Sequence, residues 1–206
     1  MKVALENTYV RYEDFDHLGK LLAYVTLTPV YIMAMYTTLL LFRRDYSTLF
    51  SFSGQMINLV LNKVLKKIFD QPRPGDNSDL SDSGMPSNHS QFMGYICTYY
   101  IIQFLFNSPK LTVVYRLFYS LLLCTLCLAV CYSRHYLEYH TVDQIIVGAL
   151  IGSSFGFFYA LFDVLYGYKL GNLICSIPVI DYFGVRNFSP LEEYMKFRHV
   201  PNKRSH

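Results

Sequence analysis

Long runs without charge alternate with short polar connections along this chain. Leu21–Phe42 carries no Asp, Glu, Lys or Arg. At about 1.5 Å per residue a helix of that length reaches roughly 33 Å, enough to cross a hydrocarbon core. Four further apolar segments follow at Ser47–Val64, Gln91–Phe106, Leu117–Tyr132 and Ile145–Leu165. The first of these is the most polar, with Gln55, Asn58 and Asn62 recurring on one helical face. Polar residues on one face of a membrane helix look toward other helices or a wet cavity, so this face is predicted to point inward. Asp163 predicts that the last span ends near an interface. Asn172–Val185 is too short to span and contains Pro178, which predicts an interfacial or re-entrant piece. The expected fold is an all-α integral membrane bundle of about five transmembrane helices plus a short C-terminal interfacial segment. It forms a single membrane-embedded domain over residues 1–206, with no internal repeats and no soluble domain left over.

Composition narrows the class further. Apolar residues make up 52% of the chain and charged residues 16%, whereas a soluble domain carries about 25% charge. This composition argues against a soluble fold. The first 20 residues mix acids with bases, so they do not read as a cleavable signal peptide. All five cysteines fall in apolar segments, with Cys124, Cys127 and Cys131 at helical spacing. They read as small packing residues, because a zinc site needs thiolates that a membrane interior disfavours. The 19 tyrosines and the absence of tryptophan suit an aromatic interface belt made of Tyr.

Chemistry concentrates in the polar connections. Lys66 sits at the predicted end of the second span, and Arg73 lies between Pro72 and Pro74. Each proline fixes its own φ and extends the residue before it, so Arg73 is presented on a stiff stalk. A preorganised guanidinium suits bidentate phosphate recognition. Pro86-Ser87-Asn88-His89 leads into the third span, and Asn88 with Gln91 fits a capping box. Ser133-Arg134 and Tyr139-His140-Thr141 open the fifth span, where Thr141 with Gln144 fits another. Free N–H groups and the positive dipole end at both helix starts favour an anion. In a serpentine chain of five spans these connections emerge on one membrane face. Lys66, Arg73, Ser87, His89, Arg134 and His140 can then converge into a phosphate cradle. One neutral imidazole can attack phosphorus while the other protonates the leaving oxygen. Asp76, Asp79 and Asp82 could in principle bind magnesium diphosphate, but bounding Gly and Pro residues make the segment read as a solvated loop.

In order, Lys66-x6-Arg73-Pro74, Pro86-Ser87-Asn88-His89 and Ser133-Arg134-x5-His140 resemble the three motifs of the type 2 phosphatidic acid phosphatase superfamily. They cover residues 66–144. The resemblance is closer still to the dolichyl-diphosphatase branch. Gly84-Met85-Pro86-Ser87-Asn88-His89-Ser90-Gln91-Phe92-Met93 is similar to its second motif, and Tyr132-Ser133-Arg134 with Tyr139-His140-Thr141 to its third. Leu21-Leu22-Ala23-Tyr24 and Pro29-Val30 are similar as well. The resemblance implies that His140 is the nucleophile and His89 the acid. It implies phosphate binding by Lys66, Arg73, Ser87 and Arg134, with backbone help at Asn88. It implies no metal and no cofactor, and a polyisoprenoid diphosphate lipid as substrate. Hydrolysis of dolichyl diphosphate to dolichyl phosphate in the endoplasmic reticulum membrane, with the site facing the lumen, would recycle the glycan carrier for protein N-glycosylation.

Two positions depart from the pattern. Asn88 stands where most of the superfamily has Gly. Gln144 stands where an Asp is usual, with Asp143 one residue early. Gln144 is expected to orient His140, since residues i and i+4 share a helical face. Other expected functions are phosphatase action on another lipid phosphate or prenyl diphosphate, or non-catalytic lipid binding. The last is disfavoured because both histidines and the three matched basic residues are present. A bilayer is the expected environment, no nucleic-acid partner is expected, and the oligomeric state is left open. Half of the Lys and Arg residues, from Arg43 and Arg44 to the C-terminal bases, fall on one side of a five-span chain. Positive-inside bias places that side in the cytosol and the N-terminus with the site in the lumen.

Overall fold

The computed structural model describes residues 2–4, 10–74, 83–108 and 111–187. Strands β1 (Lys2–Ala4) and β2 (Arg11–Glu13) pair antiparallel as a short ribbon, an addition to the expected all-α architecture. Helices follow at α1 (His17–Val25), α2 (Thr28–Phe42), α3 (Tyr46–Phe69), α4 (Asn88–Phe106), α5 (Val113–Tyr136), α6 (Val142–Cys175) and α7 (Pro178–Tyr182). The aspartate loop at 76, 79 and 82 and the C-terminal bases after residue 187 lie outside the described residues.

The expected first span is present but broken. Pro29 has no N–H to give to the Val25 carbonyl, and the Thr28 hydroxyl donates to that carbonyl instead at 2.7 Å. The chain therefore turns at Thr26–Leu27 without leaving the carbonyl unpaired. His17–Phe42, α5 and α6 are long and apolar enough to cross a membrane by length and composition. By rise per residue α3 and α4 are about 36 and 28 Å long, also close to the hydrocarbon thickness, but their polar residues lower the apolarity.

Those polar residues face inward, as the spacing predicts. Gln55, Asn58 and Asn62 are all buried. Gln91 of α4 donates to the Asn58 side chain at 2.9 Å and accepts from Asn62 at 2.8 Å. These bonds tie α3 to α4 across the interior.

Helix α4 is the centre of the bundle, packed on α3, α5 and above all α6. Close approach there depends on Gly148, Gly152 and Gly156, one per turn of α6. A Cβ at Gly148 would meet the Ser87 carbonyl at 2.6 Å, and one at Gly152 would overlap the Gln91 carbonyl. Small residues at four-residue spacing let two membrane helices meet backbone to backbone. This ridge sets the start of α4 against the start of α6, where the chemistry lies.

Several expectations change. Tyr36, Tyr95 and Tyr99 are core residues rather than members of an interface belt. Asp163 does not mark a helix end; it is buried within α6 and accepts from Tyr99 at 2.6 Å and Gln103 at 2.7 Å. Helix α6 continues through Asn172–Cys175, so the expected C-terminal segment contributes only α7 as a separate piece, started by Pro178. Cys97 on α4 and Cys124 on α5 bring their sulfurs to 3.8 Å as free thiols.

Candidate active site

The connections α3–α4 and α5–α6 meet at one end of the bundle. The ribbon lies there too, because the Arg11 N–H donates to the Tyr139 hydroxyl at 2.9 Å. At the other end Arg186 exchanges backbone bonds with Arg44 and Tyr46, joining the end of α7 to the α2–α3 turn.

Each motif residue is held by its local structure. Lys66 lies in the last turn of α3, 5% exposed, and its ammonium donates to the Ser83 carbonyl at 2.6 Å. Ser87 is the N-cap of α4. The anticipated Asn88–Gln91 capping box is thus corrected, because the Gln91 side chain turns away to α3. The Ser87 oxygen accepts from the Ser90 N–H and hydroxyl, leaving its own proton to give to a phosphate oxygen. Asn88 is exposed at the first position of α4, and His89 follows in the same turn.

His140 is buried just before α6. Thr141 caps that helix, with the predicted box to Gln144 formed. The Gln144 amide does more than cap. Its Nε2 donates to the Pro72 carbonyl at 2.9 Å and its Oε1 lies 3.1 Å from His140 Nδ1. A carbonyl can only accept, so the amide nitrogen must face Pro72 and the oxygen must face the imidazole. His140 Nδ1 therefore carries the proton and Nε2 the lone pair. Arg73 Nη1 lies 3.5 Å from that Nε2, and guanidinium groups only donate. The structure thus gathers His140, Gln144 and Arg73 directly. Arg73, Arg134 and Lys66 also act electrostatically on both histidines. Asp143 points to the exposed side of α6.

Burial, followed by the Arg134 and Arg73 charges, pushes the His140 pKa down to about 3. The imidazole is therefore neutral near pH 7. A neutral ring with a defined lone pair, beside several cations and the N-terminus of α4, is arranged for attack on an anionic phosphoryl group.

A model of the PAP2 superfamily matches residues 47–168. The chain belongs to the PAP2 superfamily. Among curated PAP2 relatives, dolichyldiphosphatase of Saccharomyces cerevisiae is 34% identical over 88% of this chain and 75% of its own. Dolichyldiphosphatase 1 of Dictyostelium discoideum is 35% identical over 95% and 87% respectively. A transmembrane PAP2 phosphatidylglycerolphosphate phosphatase from Bacillus subtilis shares the fold. Its crystal structure gives a TM-score of 0.60 at 20% identity, over 73% of this chain and 78% of that one.

Two parts of this PAP2 site are not legible in the motifs. One is the Pro72 carbonyl, a backbone group with no sequence signature. The other is Thr26, which accepts from Arg134 Nη1 at 2.9 Å. The Thr-x-Thr-Pro break in the first span is the only hint of it in the sequence.

Proposed function

We propose that this chain hydrolyses dolichyl diphosphate to dolichyl phosphate and orthophosphate through a phosphohistidine on His140. The observation that supports phosphoryl transfer most directly is the Pro72–Gln144–His140 relay, which leaves Nε2 as the nucleophilic nitrogen. The choice of lipid rests on the likeness to dolichyldiphosphatases over nearly the whole chain.

In the first step the His140 Nε2 lone pair forms a bond to the terminal phosphorus, and the bond from phosphorus to the bridging oxygen breaks. His89 gives its proton to the departing dolichyl phosphate. Lys66, Arg73, Ser87 and Arg134 hold the transferring oxygens, with N–H groups at the start of α4. In the second step His89 accepts a proton from water, whose oxygen attacks phosphorus. The P–N bond breaks, orthophosphate leaves, and His140 is again neutral.

The test is phosphate release by the full chain purified in detergent, with EDTA present, from dolichyl diphosphate, dolichyl monophosphate and phosphatidate. The diphosphate is expected to be hydrolysed fastest. Faster release from phosphatidate would reject the dolichyl substrate while leaving the phosphatase chemistry in place.

The membrane is that of the endoplasmic reticulum and the site faces the lumen. Support comes from Arg43, Arg44 and Arg186, which lie at the end of the bundle opposite the site. Positive residues favour the cytosolic side. A glycosylation acceptor fused to the N-terminus is expected to be modified and one at the C-terminus not. The reverse pattern would invert the topology.

A further inference from the structure

Arg134 is as enclosed as Lys66, at 5% exposed, and its guanidinium is held on two sides. Nη1 donates to the Thr26 hydroxyl at 2.9 Å. The plane lies over the Tyr139 ring, with Cζ 4.1 Å from the centroid. Tyr139 is itself pinned by the Arg11 N–H at 2.9 Å. Nε is buried with no hydrogen-bond partner among the described residues. Leaving a buried charged donor unmet is costly, so an acceptor is called for at that edge.

Thr26 reaches the guanidinium because the first span breaks there. In a continuous helix its hydroxyl would fold back toward its own backbone. The Pro29 interruption, with Thr28 serving the freed carbonyl, leaves the Thr26 oxygen, fully buried, for Arg134. Thr26, Arg11 and the ribbon all precede residue 47, where the PAP2 match begins.

We propose that Thr26 is a positioning residue for the phosphate-binding guanidinium of Arg134, with Tyr139 as its platform, so that the N-terminal segment completes the anion site. This rests on the reading of Arg134 as a phosphate ligand given above. An arginine side chain has many rotamers, and each bond made before the anion arrives reduces the ordering that binding must supply. A guanidinium fixed in place is most effective toward equatorial oxygens as they spread in the transition state. The contribution is therefore larger for a trigonal-bipyramidal oxyanion than for tetrahedral phosphate.

The experiment compares the full chain with Thr26→Val and Thr26→Ser, using orthovanadate and orthophosphate as probes. Dissociation constants come from ligand-dependent thermal stabilisation in detergent, which needs no lipid substrate. Thr26→Val is expected to weaken orthovanadate about 10-fold or more, the scale of one hydrogen bond to a charged group. Orthophosphate should weaken less, and Thr26→Ser should restore both. Equal losses for the two probes point to general loosening and overturn the proposal. So does unchanged vanadate affinity in Thr26→Val, or failure of Thr26→Ser to rescue. Should Thr26→Val not fold, Tyr139→Leu removes the platform and Tyr139→Phe keeps it; the same vanadate-selective loss is expected in the first alone, and its absence overturns the proposal. A wild-type protein that binds vanadate but spares dolichyl diphosphate would reject the substrate and leave Thr26 testable.

Discussion

His140→Asn is expected to abolish the phosphoenzyme and to lower turnover by at least about 10⁴-fold, the scale seen when a nucleophile is removed from a working constellation. The ring is neutral because it is buried among Arg134, Arg73 and Lys66, with its pKa pushed down to about 3 from an ordinary 6.5. The Gln144 hydrogen bond opposes that shift without reversing it. Protonation of His140 thus begins well below pH 6.5, and with His140 as the proposed nucleophile the acid limb of phosphoenzyme formation should lie there once substrate ionisation is divided out. The stability sign follows from the same shift. Between pH 6.5 and 3 the unfolded chain binds a proton that the folded chain refuses, so folding is disfavoured progressively as pH falls through that window. His140→Asn removes this linkage and should lose less stability on acidification than wild type. Acid trapping of labelled phosphoenzyme measures the catalytic part. His89→Ala should still form it, slowly from a poor leaving group such as a lipid alcohol and faster from an activated ester. A phosphoenzyme in His140→Asn, or none from any ester in His89→Ala, would reverse the assignment of roles.

How far this site can be read from sequence depends on where each contact's information resides. The basic residues and histidines are legible because phosphate chemistry needs those side chains, and because an up-and-down helical path brings alternate connections to one face. The inward turn of Gln55, Asn58 and Asn62 is legible from spacing alone. The partner of that face is not: Gln91 suited a capping box as well as it suits α3, and only the packing of α4 decides between them. The glycine ridge of α6 carries a readable four-residue period, yet its meaning depends on which helix lies opposite. Asp163 looked like a boundary because an unpaired carboxylate belongs near water. Tyr99 and Gln103 meet it from α4, a pairing that sequence spacing does not encode. Thr26 is one of several hydroxyl residues in an apolar run, and its role exists only because α1 stops where Arg134 arrives from α5.

Gln144→Leu is expected to lower kcat by about 10²-fold or more with little change in KM, since a wrongly held or wrongly protonated imidazole is a poor nucleophile. Gln144 meets three groups at once. Oε1 lies 3.1 Å from His140 Nδ1 and 3.4 Å from the Thr141 N–H, while Nε2 donates to the Pro72 carbonyl at 2.9 Å. An amide fits this place because it accepts at one end and donates at the other. A carboxylate would be the stronger acceptor for a developing imidazolium, but its second oxygen would face the Pro72 carbonyl with nothing to donate. The superfamily's usual aspartate is therefore replaced by a group that also ties down the stalk carrying Arg73. Gln144→Glu separates the two duties: kcat should survive better than in Gln144→Leu, while KM rises as the Pro72–Arg73 stalk loosens. Gln144→Asp should keep appreciable activity if its shorter chain reaches His140. Asp143→Asn should be mild, because that side chain faces outward from α6. The competing view makes Gln144 a cap alone, worth about 1 kcal/mol of stability through Thr141. It requires Gln144→Leu to melt earlier yet turn over normally. Turnover per folded molecule and melting temperature, measured together in detergent, distinguish the two. Normal turnover in Gln144→Leu beside a large loss in Asp143→Asn would return the orienting role to the aspartate.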